Sequence, residues 1–213
     1  SINASGKIAM KLAEGDSLIG VLPCQPSDHV LLASRNGKAI RFAAEDIRLF
    51  RGRNSVGVRG MRLLNADKLV SMCVIRDPEQ EFVLSITENG YGKRTSVGEY
   101  RKAGRGGQGV ANIETSPRNG LVVSSFTVFA EDQLMLVTDA GKVIRIRVDG
   151  GEGDVIRIAG RKTQGVRLFE VDGEETVVSV GIIRDADEGQ DTDESGSSNG
   201  EQKNVFSDEG YEG

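Results

Sequence analysis

A unit of about fifty residues occurs three times in this chain, and any fold must accommodate that repetition before anything else. Its first anchor is an apolar run ending at a turn glycine. The three versions are Leu31-Leu32-Ala33-Ser34 before Gly37, Val83-Leu84-Ser85-Ile86 before Gly90, and Leu134-Met135-Leu136-Val137 before Gly141. Those glycines lie 53 and 51 residues apart. The second anchor is Gly-Arg-x-x-x-Gly-Val, beginning at Gly52, Gly104 and Gly160. The third is Val70-Ser71, Val123-Ser124 and Val178-Ser179. Gly6 to Leu12 also matches Gly57 to Leu63 at an offset of 51. On this reading the chain begins inside an earlier copy and is the latter part of a longer array.

Each copy reads as β-structure. Asn36-Gly37 and Asn89-Gly90 are strong hairpin signals and predict a two-residue turn with both central residues at positive φ. In the strand that follows, Ile40 and Phe42 face one way, Ala39 and Arg41 the other. In the third copy, alternation turns Ile144 and Ile146 inward and Val143, Arg145 and Arg147 outward. Further strands are expected over Val58–Leu63 and Leu69–Ile75 with a turn at Asn65-Ala66-Asp67, and Ala43–Phe50 is the single helical candidate. Four strands per copy make one blade of a propeller-like ring, which closes with about four to eight blades. The expected fold class is therefore all-β, a partial array of about three and a half four-stranded blades. It occupies residues 1–183, with full copies over 29–75, 81–128 and 133–183.

Charge divides the chain. Residues 184–213 carry two basic and ten acidic residues, the remainder 25 basic and 22 acidic. The acidic segment has few apolar groups and no periodicity, so it reads as a disordered tail, either solubilising or competing with an anionic partner. No apolar run is long enough for a helical membrane span, and no signal-peptide pattern opens the chain. Two distant cysteines, Cys24 and Cys73, support neither a disulfide framework nor a zinc site and are expected to be buried or semi-buried thiols. The expected compartment is cytoplasmic.

The repeat also places cations. Arg41, Arg94 and Arg145 each stand four residues after a hairpin glycine, and Arg53, Arg105 and Arg161 recur at one loop position. Lys93, Lys102 and Lys162 lie beside them, with Lys38, Arg51, Arg101, Lys142, Arg147 and Arg157 nearby. A position repeated blade by blade maps to a band on one surface, and a band of guanidinium groups suits a curved polyanion. The plain alternative is an ordinary charged strand face paired with acids such as Glu45, Asp46 and Glu99. Gly104-Arg105-Gly106-Gly107-Gln108-Gly109 formally matches a dinucleotide fingerprint, but it repeats the Gly-Arg anchor and opens no helix, so a nicotinamide site is rejected. His29, Tyr91 and Tyr100 read as packing or satisfied groups. No acid–base pair, nucleophile–base arrangement or metal cluster emerges, so the expectation is a non-catalytic chain without a cofactor or metal of its own.

Glu88-Asn89-Gly90-Tyr91-Gly92-Lys93-Arg94-Thr95, Arg118-Asn119-Gly120-Leu121-Val122-Val123, Thr138-Asp139-Ala140-Gly141 and Gly160-Arg161-Lys162-Thr163-Gln164-Gly165-Val166 together resemble the C-terminal domain of the bacterial DNA gyrase A protein. The likeness runs from about Gly6 to Ile183, and an acidic tail is typical of that family. The resemblance implies a six-bladed β-pinwheel of which this chain holds the end of the third blade and blades four to six. It implies that duplex DNA is bound through phosphates and bent around a basic rim, so that ATP-dependent strand passage introduces negative supercoils. It also implies partners, the gyrase B protein and a second gyrase A protein, engaged through regions outside this chain, with ATP and Mg²⁺ acting there too. The rim residues carried over are Arg41, Arg94, Arg145, Arg53, Arg105 and Arg161. The family's signature box, Gln-Arg-Arg-Gly-Gly-Lys/Arg-Gly, has only a partial echo at Ala103 to Gly109. The third copy's Gly141-to-Gly165 spacing is 24, against 20 and 19, owing to the acidic insertion Asp149-Gly150-Gly151-Glu152-Gly153-Asp154, which is expected to weaken phosphate contact there. Two alternatives stand beside this: the related A-type protein of topoisomerase IV, and a protein-interaction propeller that binds no DNA. Six neutralised phosphates predict a log–log salt slope of about −5.

Overall fold

A computed structural model describes residues 6–151 and 155–184. The expected acidic tail lies outside the described residues from 185 onward, as does the centre of the third copy's long loop.

Three antiparallel sheets follow one another along the chain. The first has the order β3 (Leu69–Ile75), β1 (His29–Ser34), β2 (Lys38–Ala43), β6 (Val110–Ala111). The second runs β10 (Val166–Arg167), β5 (Tyr91–Ser96), β4 (Phe82–Thr87), β7 (Val122–Val128). The third has three strands, β11 (Val177–Ile183), β8 (Gln133–Thr138) and β9 (Val143–Arg147).

A four-stranded blade is thus not one sequence copy. Three strands come from one copy and the fourth from the next: Lys38 and Ala39 pair with Ala111 and Val110, and Gly92 and Tyr91 pair with Val166 and Arg167. The donated strands are the Gly-Val ends of the Gly-Arg-x-x-x-Gly-Val anchor. Their glycines must lie against a neighbouring backbone. Gly109 has φ +74° and a Cβ there would stand 2.3 Å from the Ala39 carbonyl oxygen; Gly165 has φ +78° and would meet the Gly92 oxygen at 2.6 Å. The strand expected over 58–63 does not form, although Met61 is buried there.

The hairpins also differ from expectation. Gly37, Gly90 and Gly141 have positive φ, but Asn36 and Asn89 do not. Each glycine N–H donates to the carbonyl three residues back, on Ser34, Thr87 and Thr138, at 3.0–3.1 Å. This is a type I turn closed by a left-handed glycine, the three-residue hairpin solution. Paired positive φ occurs instead at Asn65 and Ala66, in the turn from Leu64 to Asp67. The helical candidate is a single 3₁₀ turn, Ala44–Asp46, with a counterpart at Val97–Glu99.

Apolar side chains of successive sheets pack against each other. Leu31, Ala33 and Ala39 of the first sheet meet Val83, Val97 and Tyr100 of the second copy. Leu84 and Ile86 of the second sheet meet Leu134, Leu136 and Ile156 of the third copy. Each wholly buried leucine stabilises the stack by about 1.5–3 kcal/mol. Val30, Leu32, Ile40 and Phe42 form a separate cluster on the first sheet's other face. Both faces of an inner sheet are therefore interior, which decides what happens to the strand arginines.

Candidate nucleic-acid interface

The alternation of β2 and β5 sends Arg41 and Arg94 to the face that meets the following copy, where little solvent remains. Arg41 is 9% exposed and Arg94 5%. Arg41 Nη1 donates to the carbonyls of Val97 (2.9 Å) and Tyr100 (3.3 Å), capping the 3₁₀ turn of the second copy. Its Nη2 lies 2.7 Å from Nδ1 of His29, across the strand pair. Burial, then the charges of Arg41 and Lys102, lowers the His29 pKa, so the imidazole is neutral and accepts.

Arg94 repeats this one copy on. Its Nε donates to the Ile156 carbonyl at 2.8 Å, and its guanidinium lies over the Phe82 ring at 5.4 Å. The backbone is stitched at the same places: Ala103 N–H to Arg41 O at 2.9 Å, and Ala159 N–H to Arg94 O at 2.8 Å. These two arginines are interblade clamps, which corrects their placement on a solvent-facing band. Arg145, the third of the series, is exposed and donates to Gln133 at 2.7 Å. Lys93, also placed on the band, has no exposed surface at all.

The loop series divides differently. Arg53 is exposed, with no hydrogen bond or ion pair to its side chain among the described residues. Arg105 is exposed while its Nε donates to the Asp46 carbonyl at 3.1 Å, reaching back to the preceding copy's 3₁₀ turn. Arg161 is half-buried; Nη1 donates to Ala111 O at 2.9 Å and its buried Nε has no partner. Lys102 is exposed, with Glu45 at 3.8 Å. Lys162 is exposed on the same loop as Arg161. The set is thus split between surface and interior rather than gathered into one patch.

One exposed series escaped the sequence reading as a series. Arg48, Arg101 and Arg157 each follow an apolar residue (Ile47, Tyr100, Ile156), the first two just past a 3₁₀ turn, and all three are exposed. The signal was an apolar–Arg pair recurring 53 and 56 residues apart, hidden by a one-residue difference in the loop before Gly52. Arg145, Arg147, Arg157 and Arg167 also line one open cleft of about 840 Å³. Two of them are compensated, Arg147 by Asp149 at 2.7 Å and Arg167 by Glu170 at 3.3 Å. Lys142 is held by Asp172 and Glu175, which raise its pKa. Tyr91 is buried with its hydroxyl accepting from Arg118 and Arg167, and Tyr100 is buried with its hydroxyl donating to Asn112. Cys73 is buried as expected, but Cys24 is exposed. No cluster of three or more His, Cys, Asp or Glu suited to a metal occurs among the described residues.

Comparison with known proteins gives this geometry a context. A family model described as "DNA gyrase C-terminal domain, beta-propeller" matches residues 2–25, 28–75, 81–128 and 132–184. The DNA gyrase A protein of Escherichia coli K12 is 42% identical over 90% of this chain and 21% of its own length. That of Rickettsia prowazekii is 37% identical over 91% of this chain and 26% of its own. The chain thus spans about a quarter of the length of these curated relatives. A solved DNA gyrase A C-terminal domain superimposes with a TM-score of 0.72 at 27% identity, covering 84% of this chain and 59% of that one. A DNA topoisomerase IV C-terminal domain shares the fold, with a TM-score of 0.74 at 23% identity over 82% and 52%.

Proposed function

Because the chain belongs to the DNA gyrase C-terminal domain family of β-propellers, we propose that it binds duplex DNA by its phosphates and bends it around the stacked blades. In this reading it serves DNA gyrase, a type II topoisomerase that introduces negative supercoils using ATP. The gyrase B protein, a second gyrase A protein, ATP and Mg²⁺ act outside this chain, in the bacterial cytoplasm. The observation that carries the reading is the exposed arginine recurring at one place in each copy, Arg48, Arg101 and Arg157. Arg53, Lys102, Arg105, Lys162 and Arg145 supply further exposed cations on neighbouring positions. Smooth bending of a 20–30 base-pair site costs roughly 1–6 kcal/mol, which several charge-assisted phosphate contacts can offset without reading bases.

Division of labour follows from burial. The exposed arginines meet phosphates, whereas Arg41 and Arg94 fix the angle between blades and hence the curvature offered to DNA. The clamps act on DNA only through that angle. A mobility-shift titration of the 213-residue chain at several salt concentrations tests the reading. Binding that weakens steeply with salt, with a log–log slope of about −7 for the eight exposed cations named above, supports it. A folded sample that binds no duplex DNA at low salt refutes it.

A further inference from the structure

Three residues past the hairpin glycine, the first and third copies carry isoleucine, Ile40 and Ile144, while the second carries Lys93. The residue across the strand changes in step. Leu32 faces Ile40 and Leu136 faces Ile144, but Ser85 faces Lys93. A wholly buried ammonium therefore sits where its counterparts place hydrocarbon. Such a group must be satisfied by hydrogen bonds or give up its proton.

Lys93 Nζ donates to the main-chain carbonyl of Gly160 and, at 2.9 Å, to that of Arg161. Both belong to the Gly-Arg loop of the third copy, the segment that hands β10 to the second sheet. Thr95 Oγ1 donates to the next carbonyl back, Ala159 O, at 2.8 Å. The peptide group is planar and trans, so turning the Gly160 and Arg161 carbonyls inward turns the N–H groups of Arg161 and Lys162 the opposite way. The Arg161 N–H meets Glu99 Oε2 at 3.2 Å, and the Lys162 side chain on the same loop is exposed.

We propose that Lys93 is a positioning residue whose protonated side chain latches the third copy's Gly-Arg loop onto the second sheet, holding Arg161 and Lys162 in place, and whose deprotonation loosens that loop. The latch stands on the geometry alone; only its effect on DNA rests on the function proposed above. Two charged groups face Lys93. Glu99, from the 3₁₀ turn after β5, favours the ammonium, and Arg161, from the loop, opposes it. Tyr100, next to Glu99, stays neutral because burial pushes its pKa up. Burial is the largest influence on Lys93 and lowers its pKa from 10.5 to about 8. The neutral amine still donates, but without the charge that strengthens both bonds.

NMR on the full chain across roughly pH 6.5 to 9.5 tests the latch in a range bracketing that value. The Arg161 and Lys162 amide signals are expected to shift together with the Lys93 side-chain carbons, at one midpoint, and to stay still in Lys93→Ile. If that variant does not fold, the pair Ser85→Leu with Lys93→Ile restores the apolar partners of the other two copies, and the wild-type Lys93 signals decide on their own. Loop signals that do not follow Lys93, or that move equally in a folded variant, overturn the proposal. Duplex-DNA titrations at pH 7 and 9 supply a second readout. The magnitude of the wild-type log–log salt slope falls by about 1 to 2 at the higher pH, about one for each phosphate released, and the Lys93→Ile slope does not change. An equal fall in the variant overturns the positioning role. A chain that binds no DNA at either pH refutes the DNA reading, while the NMR result still decides the latch.

Discussion

Replacing Arg94 and Arg145 in turn by alanine separates clamp from surface, because the two occupy the same repeat position in opposite surroundings. Arg94→Ala removes the 2.8 Å bond to the Ile156 carbonyl and the contact over Phe82. A hydrogen bond to a charged group contributes about 1.5–3 kcal/mol, and an orphaned buried carbonyl costs about 1–3 kcal/mol. A desolvated cation–π contact adds up to about 2 kcal/mol. These overlap rather than sum, and the neutral variant avoids burying a guanidinium, so the net loss is about 3 kcal/mol. Arg145 is exposed and its one bond reaches Gln133 on the surface, so Arg145→Ala costs within about 0.5 kcal/mol. Urea denaturation followed by far-UV circular dichroism measures both, with the midpoint shift at constant slope giving the difference. Equal losses for the two variants, or a loss under about 1 kcal/mol for Arg94→Ala, would refute the clamp argument.

Three further outcomes are expected. Ala66 holds φ +58°, so Ala66→Gly relieves left-handed strain of about 1–2 kcal/mol against an entropy cost of about 0.5–1 kcal/mol, and a rise in the denaturation midpoint checks the small net gain. Burial pushes the Cys73 thiol up to about 12 while Cys24 is exposed, so a thiol reagent at pH 8 labels one cysteine quickly and the second only on unfolding, as a stopped-flow absorbance trace reads. For Lys93 the folded-state pKa, about 8, lies below its ordinary 10.5, so the unfolded chain binds more protons between these values and this group's contribution to stability rises with pH there. Denaturation midpoints in that window are expected to climb less for Lys93→Ile than for the unsubstituted chain.

Much of the fold was legible because the repeat carries its own punctuation. Gly37, Gly90 and Gly141 each close a hairpin, and the apolar runs before them became β1, β4 and β8. The strand exchange was not legible. Val110-Ala111 and Val166-Arg167 have the same sequence whether they pair within their own copy or with the preceding sheet. Only the glycines against Ala39 and Gly92 mark the crossing, and a glycine alone does not say whose backbone it meets.

The arginine series misled for a related reason. Alternation of Ile40 and Phe42 with Arg41 resembles a strand with one wet face. In a stack of sheets the second face is also interior, and the cue was the residue that each arginine reaches on the neighbouring strand: His29, Phe82 and Gln133. The first two form a lid for a buried guanidinium, whereas the third leaves Arg145 on the surface. Lys93 carried a cue too, since it breaks the isoleucine correspondence between copies. The exposed series at Arg48, Arg101 and Arg157 was obscured by loop length alone.

The most direct measurement is the salt dependence of duplex-DNA binding by the chain and by a variant with Arg48, Arg101 and Arg157 all changed to alanine. That variant is expected to fold with an unchanged denaturation midpoint, and the magnitude of its log–log salt slope to fall by about 3, one for each phosphate no longer neutralised. An unchanged slope in the folded variant would contradict the claim that these exposed arginines, rather than the buried clamps, meet DNA.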